Sequence, residues 1–130
     1  MRRLTRRRHT SVRLPEHVVQ ELKKYAAGHG RKPGSVIAMA LKEWVDMQRF
    51  PGIDYRWTPG GREPHVTGTG LSVREMWWIW KGFKGRWPRI RYYYPNFRKA
   101  QVDAAVAYGK IYPEETTFDE IPPGFTVVRV

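Results

Sequence analysis

The chain has no cysteine. That excludes a disulfide framework, a thiolate nucleophile and any thiolate-held zinc. Apolar runs of transmembrane length are also missing, and the Arg-rich start lacks the hydrophobic stretch of a secretory signal. A cytoplasmic protein with no membrane partner is therefore expected. Acid is scarce: 12 Asp and Glu stand against 24 Lys and Arg. No two carboxylates share the apolar setting that acid–base catalysis uses. His9, His17, His29 and His65 are scattered, without metal-ligand spacing. These absences predict a protein that is not an enzyme and takes no metal and no cofactor.

What is present is a formal charge of +12 on 130 residues, with 41% hydrophobic content. That hydrophobic share suffices for a packed core. The charge calls for a polyanionic partner, nucleic acid before membrane. It is unevenly spread. Residues 1–50 hold 12 Lys and Arg against 4 Asp and Glu, residues 51–110 hold 11 against 4, and residues 111–130 hold 1 against 4. Four segments follow: a basic, flexible arm (1–9), a first structured segment (10–50), a second (51–112) and an acidic, apolar tail (113–130).

In the first segment, Thr10-Ser11-Val12-Arg13-Leu14 alternates as a strand does, with Val12 and Leu14 on one side and His9, Ser11 and Arg13 on the other. Pro15 ends the strand and opens a helix in which Val18, Leu22, Tyr25 and Ala26 recur at helical spacing. Gly28 and Gly30 stop it. Pro33 starts a second helix with an apolar stripe of Ile37, Ala40, Leu41, Trp44 and Val45, closed by Phe50-Pro51-Gly52. A βαα unit of this size buries little surface alone, and its strand has no partner in its own chain. The economical solution is an intertwined homodimer, with two strands paired antiparallel over four helices.

This order of elements, carried by TSVRLPEHVVQELKKYA and KPGSVIAMALKEW, resembles the ribbon-helix-helix family of DNA-binding proteins over about residues 9–49. The resemblance implies that the outward strand residues His9, Ser11 and Arg13 read base edges, and that backbone amides of Gly34 and Ser35 grip a phosphate. Lys32-Pro33-Gly34 stands where a small hydroxyl cap is more usual, and Lys32 is expected as a phosphate contact in its own right. Arg6, Arg7 and Arg8 of the arm adjoin the reading strand and add further phosphate contacts. The physics agrees: a two-stranded ribbon fits the major groove, arginine pairs bidentately with guanine, and a helix N-terminus offers free N–H groups. The partner is then duplex DNA with palindromic or repeated half-sites.

In the second segment, Ile53, Tyr55 and Trp57 alternate up to Thr58-Pro59-Gly60-Gly61, and Arg62 to Val66 runs back, which predicts a hairpin. Thr67-Gly68-Thr69-Gly70 reads as a turn. Ser72-Val73-Arg74-Glu75 has the form of a capping box, opening a helix with Val73, Met76, Trp77, Trp80 and Phe83 inward. Trp87-Pro88 starts a short helix to about Tyr93, and Asn96 caps a last one with Val102, Ala105, Val106 and Gly109 inward. The fold expected is mostly α with short β: the ribbon-helix-helix unit, then a hairpin and a three-helix, homeodomain-like (helix-turn-helix) bundle. Arg74, Trp78 and Lys81 share one outward face, and Arg98, Lys99 and Gln101 another. Both are candidate surfaces for DNA or protein.

The pattern HVTGTGLSV…YP…QVDAAVAYG…PEE is similar to a bacterial and archaeal family of unknown function, over about residues 51–115. That family is predicted to supply antitoxins against PIN-like nucleases. The resemblance implies a toxin partner, for which Phe118, Ile121, Phe125 and Val127 of the tail form a candidate binding segment; the other reading of the tail is packing on the body. The leading expectation is a dimeric, sequence-specific transcriptional regulator acting as an autoregulating antitoxin. The alternatives are a stand-alone viral or plasmid repressor or architectural protein, and a module for RNA or single strands using the aromatic–basic stretch from Trp77 to Tyr94.

Overall fold

The computed structural model of the chain describes residues 9–117. Arg6, Arg7 and Arg8 of the arm and Phe118, Ile121, Phe125 and Val127 of the tail lie outside them. The described residues are mostly helical with one short antiparallel hairpin: α1 (Glu16–Gly28), α2 (Pro33–Arg49), β1 (Ile53–Thr58), β2 (Gly61–Val66), α3 (Val73–Gly82), α4 (Trp87–Tyr93) and α5 (Lys99–Ile111), followed by a 3-10 turn at Pro113–Glu115. The chain divides into two compact units, 1–40 and 41–130. That division falls inside α2, not after Phe50 as the apolar pattern suggested.

In the first unit Pro15 precedes α1, and its carbonyl accepts from the amides of Val18 and Val19. Gly30, at φ 62°, turns the chain away after α1. The positive φ is why glycine is needed at that point. Residues 9–15 have no regular secondary structure, and among the described residues 9–14 make no backbone–backbone hydrogen bond. The unit's buried hydrophobic residues are Ala26 and Val36.

The second unit holds a continuous core of Phe50, Ile53, Val66, Val73, Met76, Ile79, Phe83, Ile90, Val102, Ala105 and Tyr108. Burying side chains such as Met76 and Ile90 stabilises by about 1.5–3 kcal/mol each. The hairpin pairs Ile53 with Val66 through Thr58 with Gly61. Its turn is braced by the Thr58 hydroxyl, which donates to the Gly61 carbonyl and accepts from the Gly60 amide. The capping box at α3 forms as predicted: Ser72 Oγ accepts from the Glu75 amide at 3.1 Å, and Glu75 Oε1 accepts from the Ser72 amide.

Three details differ from the sequence reading, and a fourth agrees with one of its two readings of the tail. Ile79, absent from the predicted inward face of α3, is buried, while Trp77 and Trp80 are half-buried. Asn96 does not cap α5; the cap is Arg98, whose amide donates to Gln101 Oε1 at 2.8 Å. Tyr108 is fully buried in α5, and Val106 only partly. Residues 113–117 belong to the body: Thr116 is buried, and Glu115 Oε1 is hydrogen-bonded to the Tyr108 hydroxyl.

The largest difference concerns α2. Within the second unit its covered face carries Glu43, Asp46 and Phe50, whereas Leu41, Trp44 and Val45, the predicted inward stripe, are about half exposed in the single chain. Asp46, 2% exposed, accepts from Lys42 Nζ (2.8 Å), the Tyr55 hydroxyl (2.7 Å) and the Tyr112 hydroxyl (2.8 Å). The Tyr55 and Tyr108 hydroxyls stand 2.7 Å apart, and Tyr108 reaches Glu115 at 2.9 Å. Glu43 is held by the guanidinium of Arg62. Among the described residues no buried side-chain polar atom lacks a partner, which is how a charged helix face is tolerated inside.

Candidate nucleic-acid interface

The structure places His9, Ser11 and Arg13 at the surface of the first unit. Beside them in sequence, Val12 is 63% exposed and Leu14 and Val18 are also exposed. So both sets of residues in the 9–14 segment, those expected to read bases and the apolar ones alike, are exposed in one chain. Lys32, Gly34 and Ser35 are exposed at the start of α2. The Ser35 amide donates to the Lys32 carbonyl at 3.0 Å. The Ser35 amide is therefore committed within the turn, with Lys32 and Gly34 exposed beside it.

In the second unit the predicted surfaces are only partly available. Trp78 is half-buried rather than exposed, because α3 buries a wider arc than the stripe beginning at Val73 implied. Arg74 is half-buried as well, and its Nε donates to the Glu115 carbonyl at 3.3 Å. Gln101 is committed internally: it caps α5 through Oε1 and donates from Nε2 to the Thr67 carbonyl at 3.2 Å. These three are less available for docking than the sequence reading expected. Lys81, Arg98 and Lys99 remain exposed, with Lys99 paired to Asp103 at 3.0 Å. The sequence reading offered the aromatic–basic stretch from Trp77 to Tyr94 as a whole and did not single out the outer face of α4, where Arg89, Arg91, Tyr92 and Tyr93 are all exposed. Its signal was present in the alternation of arginine and tyrosine around the single buried residue of that helix, Ile90.

The shifted titratable groups belong to the buried seam and to the hairpin. Burial alone would raise the Asp46 carboxyl, but hydrogen bonds from Lys42, Tyr55 and Tyr112 outweigh it and hold the group below its ordinary value. Asp54 is lowered in the same way, by Arg56 and Thr67. Glu115 goes the other way: burial pushes it up despite the bond with Tyr108. Burial also raises Tyr55 and Tyr108 strongly, and Tyr112 is pushed up to about 12 by burial and by its bond to Asp46. Each of these groups spends its polar atoms on a neighbour, so the seam has the character of a structural clamp rather than a reactive site. Among the described residues no group of three or more His, Asp or Glu could hold a metal ion, and no helix is long and apolar enough to cross a membrane.

No protein-family model, curated protein or solved structure matches this chain.

Proposed function

We propose that the protein is a dimeric, sequence-specific binder of double-stranded DNA that acts as a transcriptional regulator. One observation carries this reading. A first unit whose buried hydrophobic residues, among those described, are Ala26 and Val36, while Val12, Leu14 and Val18 face water and residues 9–14 make no backbone pairing with any described residue, is an incomplete fold. A second copy completes it: two 9–14 segments pair into a ribbon whose apolar side covers the helices. The opposite side of that ribbon then presents His9, Ser11 and Arg13 from both copies to the major groove. Leu41, Trp44 and Val45 supply the second unit's share of apolar surface for the same partner.

The finer fold reading, a ribbon-helix-helix unit followed by a helix-turn-helix-like bundle, belongs to this proposal. So does the role of an autoregulating antitoxin whose residues after Thr117 capture a PIN-like nuclease in the cytoplasm. Copurification of a nuclease with the full chain, but not with one ending at Thr117, supports that role; equal recovery removes it.

The main test is selection of duplexes from a random pool, followed by sedimentation of the free protein and of its complex. A dimer on a symmetric or repeated site is expected. A chain that stays monomeric at micromolar concentration and binds all duplexes alike overturns the reading.

A further inference from the structure

From Met76 to Val102 the chain carries no aspartate or glutamate. The middle of this acid-free stretch is α4 with the turn before it. Ile90 anchors the helix in the core, and Lys84, Arg86, Arg89 and Arg91 are exposed around it. Tyr92 is 78% exposed, more than any other large apolar side chain among the described residues. Its ring is nonetheless held in place. Tyr92 meets Tyr93 edge-on at 5.1 Å, and Tyr93 lies 5.4 Å from Phe83, which is itself buried. Arg89 stands three residues before Tyr92, a spacing that puts both on one helical face.

The turn adds a second observation. Lys84 has φ 53°, in the left-handed region that a glycine or asparagine occupies with less strain. A lysine here gives up local stability and places a cation two residues from Arg86.

We propose that α4 and the preceding turn bind single-stranded nucleic acid, with a base stacked on Tyr92 and phosphates held by Lys84, Arg86, Arg89 and Arg91. Cations alone would serve a duplex equally well. An exposed, pre-positioned ring adds affinity only where a base face is free, and in a duplex the base faces are already stacked on each other. This surface is separate from the duplex-reading residues of the first unit, and the inference does not rest on them.

The experiment titrates the full chain into a fluorescent oligo-dT strand and, separately, into the duplex selected above. Tyr92→Ala is expected to weaken oligo-dT binding by about tenfold or more. Tyr92→Phe keeps the ring and is expected to stay within about twofold. Lys84→Gly is expected to weaken oligo-dT binding while raising the melting temperature, a pairing that a merely structural lysine would not produce. Arg13→Ala serves as the counter-control, altering duplex binding and leaving oligo-dT alone. Absence of oligo-dT binding, an unchanged affinity in Tyr92→Ala, or an equal loss on strand and duplex each overturns the proposal. Failure on the duplex alone counts against the first-unit reading instead.

Discussion

Gly109 gives the sharpest test of the packing described for the second unit. It lies in the interior of α5, where alanine is favoured over glycine by about 1 kcal/mol, so propensity alone predicts that Gly109→Ala stabilises. Packing predicts the reverse. A Cβ at this position would sit 2.5 Å from Trp77 Cε3 and 2.8 Å from Trp77 Cζ3, with Thr116 Cγ2 at 2.7 Å. Ordinary carbon contacts are about 3.5–4.0 Å, so neighbours on two different segments must each retreat by nearly an ångström. Neither is free to do so. Trp77 leans on Trp80 at 5.1 Å, and the Thr116 hydroxyl donates to the Pro113 carbonyl at 2.7 Å. Overpacking of this kind costs about 1–3 kcal/mol. Because the clash is two-sided we take the upper half of that range, which leaves a net loss of about 1–2 kcal/mol. A domain of this size loses roughly 4–8 °C in melting temperature for each kcal/mol. Gly82 is the matched control: it ends α3, and a Cβ added there would meet nothing within 4 Å. Alanine at that position is expected to be neutral or to stabilise by up to about 1 kcal/mol. Thermal unfolding followed by near-UV circular dichroism reads both variants. If Gly109→Ala melts at or above the unsubstituted chain, the contact between α5 and α3 is not as described.

Arg13→Ala should relax specificity at one base position and cost about 1–3 kcal/mol of duplex binding; unchanged specificity in a selection experiment removes Arg13 from the reading strand. Deleting residues 2–8 should weaken binding to all sequences and flatten its salt dependence, and an unaltered salt slope would make the arm a bystander. Leu41→Asp should shift the dimer to monomers in sedimentation without lowering the melting temperature of the second unit, since Leu41 is 53% exposed in the single chain; a persistent dimer refutes the role given to that stripe. Glu115 has a raised value in the fold, so its contribution to stability is complete at acid pH, below the unfolded value, and is lost as pH rises through the folded one. Asp46 is lowered, so its contribution is present above its unfolded value and is lost as pH falls through the folded one. Glu115→Gln should therefore raise the urea midpoint at about pH 7 and lose that advantage near pH 4; a gap that stays constant with pH contradicts the assignment.

Much of the fold was legible because its signals are local. Pro15, Pro33 and Pro88 mark helix starts, Pro59-Gly60 a hairpin, and Ser72 with Glu75 a cap; each acts within a few residues of itself. The covered face of α2 was not legible, for a physical reason. Glu43 and Asp46 are buried through Arg62, Tyr55 and Tyr112, partners on other elements, and long-range pairing of polar groups leaves no apolar period to read. Trp78 and Ile79 are both more covered than expected because α3 packs on both β2 and α5 and so buries a wide arc. Gln101 looked like a surface residue until Thr67, far away in sequence, claimed its amide. Of the candidate interface, the residue types were readable and their availability was not. Exposure separates Tyr92 from the other rings of the stretch from Trp77 to Tyr94, and composition carries no such distinction.

The row of oxygens from Asp46 through Tyr55 and Tyr108 to Glu115 has a consequence in hydrogen atoms. It contains three short gaps, of 2.7, 2.7 and 2.9 Å, and two phenols with one hydrogen apiece to fill them. The third gap is bridged when an end carboxyl keeps its own hydrogen. Lys42 and Tyr112 hold the Asp46 carboxyl below its ordinary value while burial raises that of Glu115, so Glu115 is the end better suited to keep one. With a hydrogen on Glu115 all three bonds would point toward Asp46; with none there, Tyr55 donates to Asp46 and Tyr108 to Glu115. Stripping Glu115 of its hydrogen leaves two phenol oxygens facing each other bare, and the row parts in its middle, between hairpin and last helix.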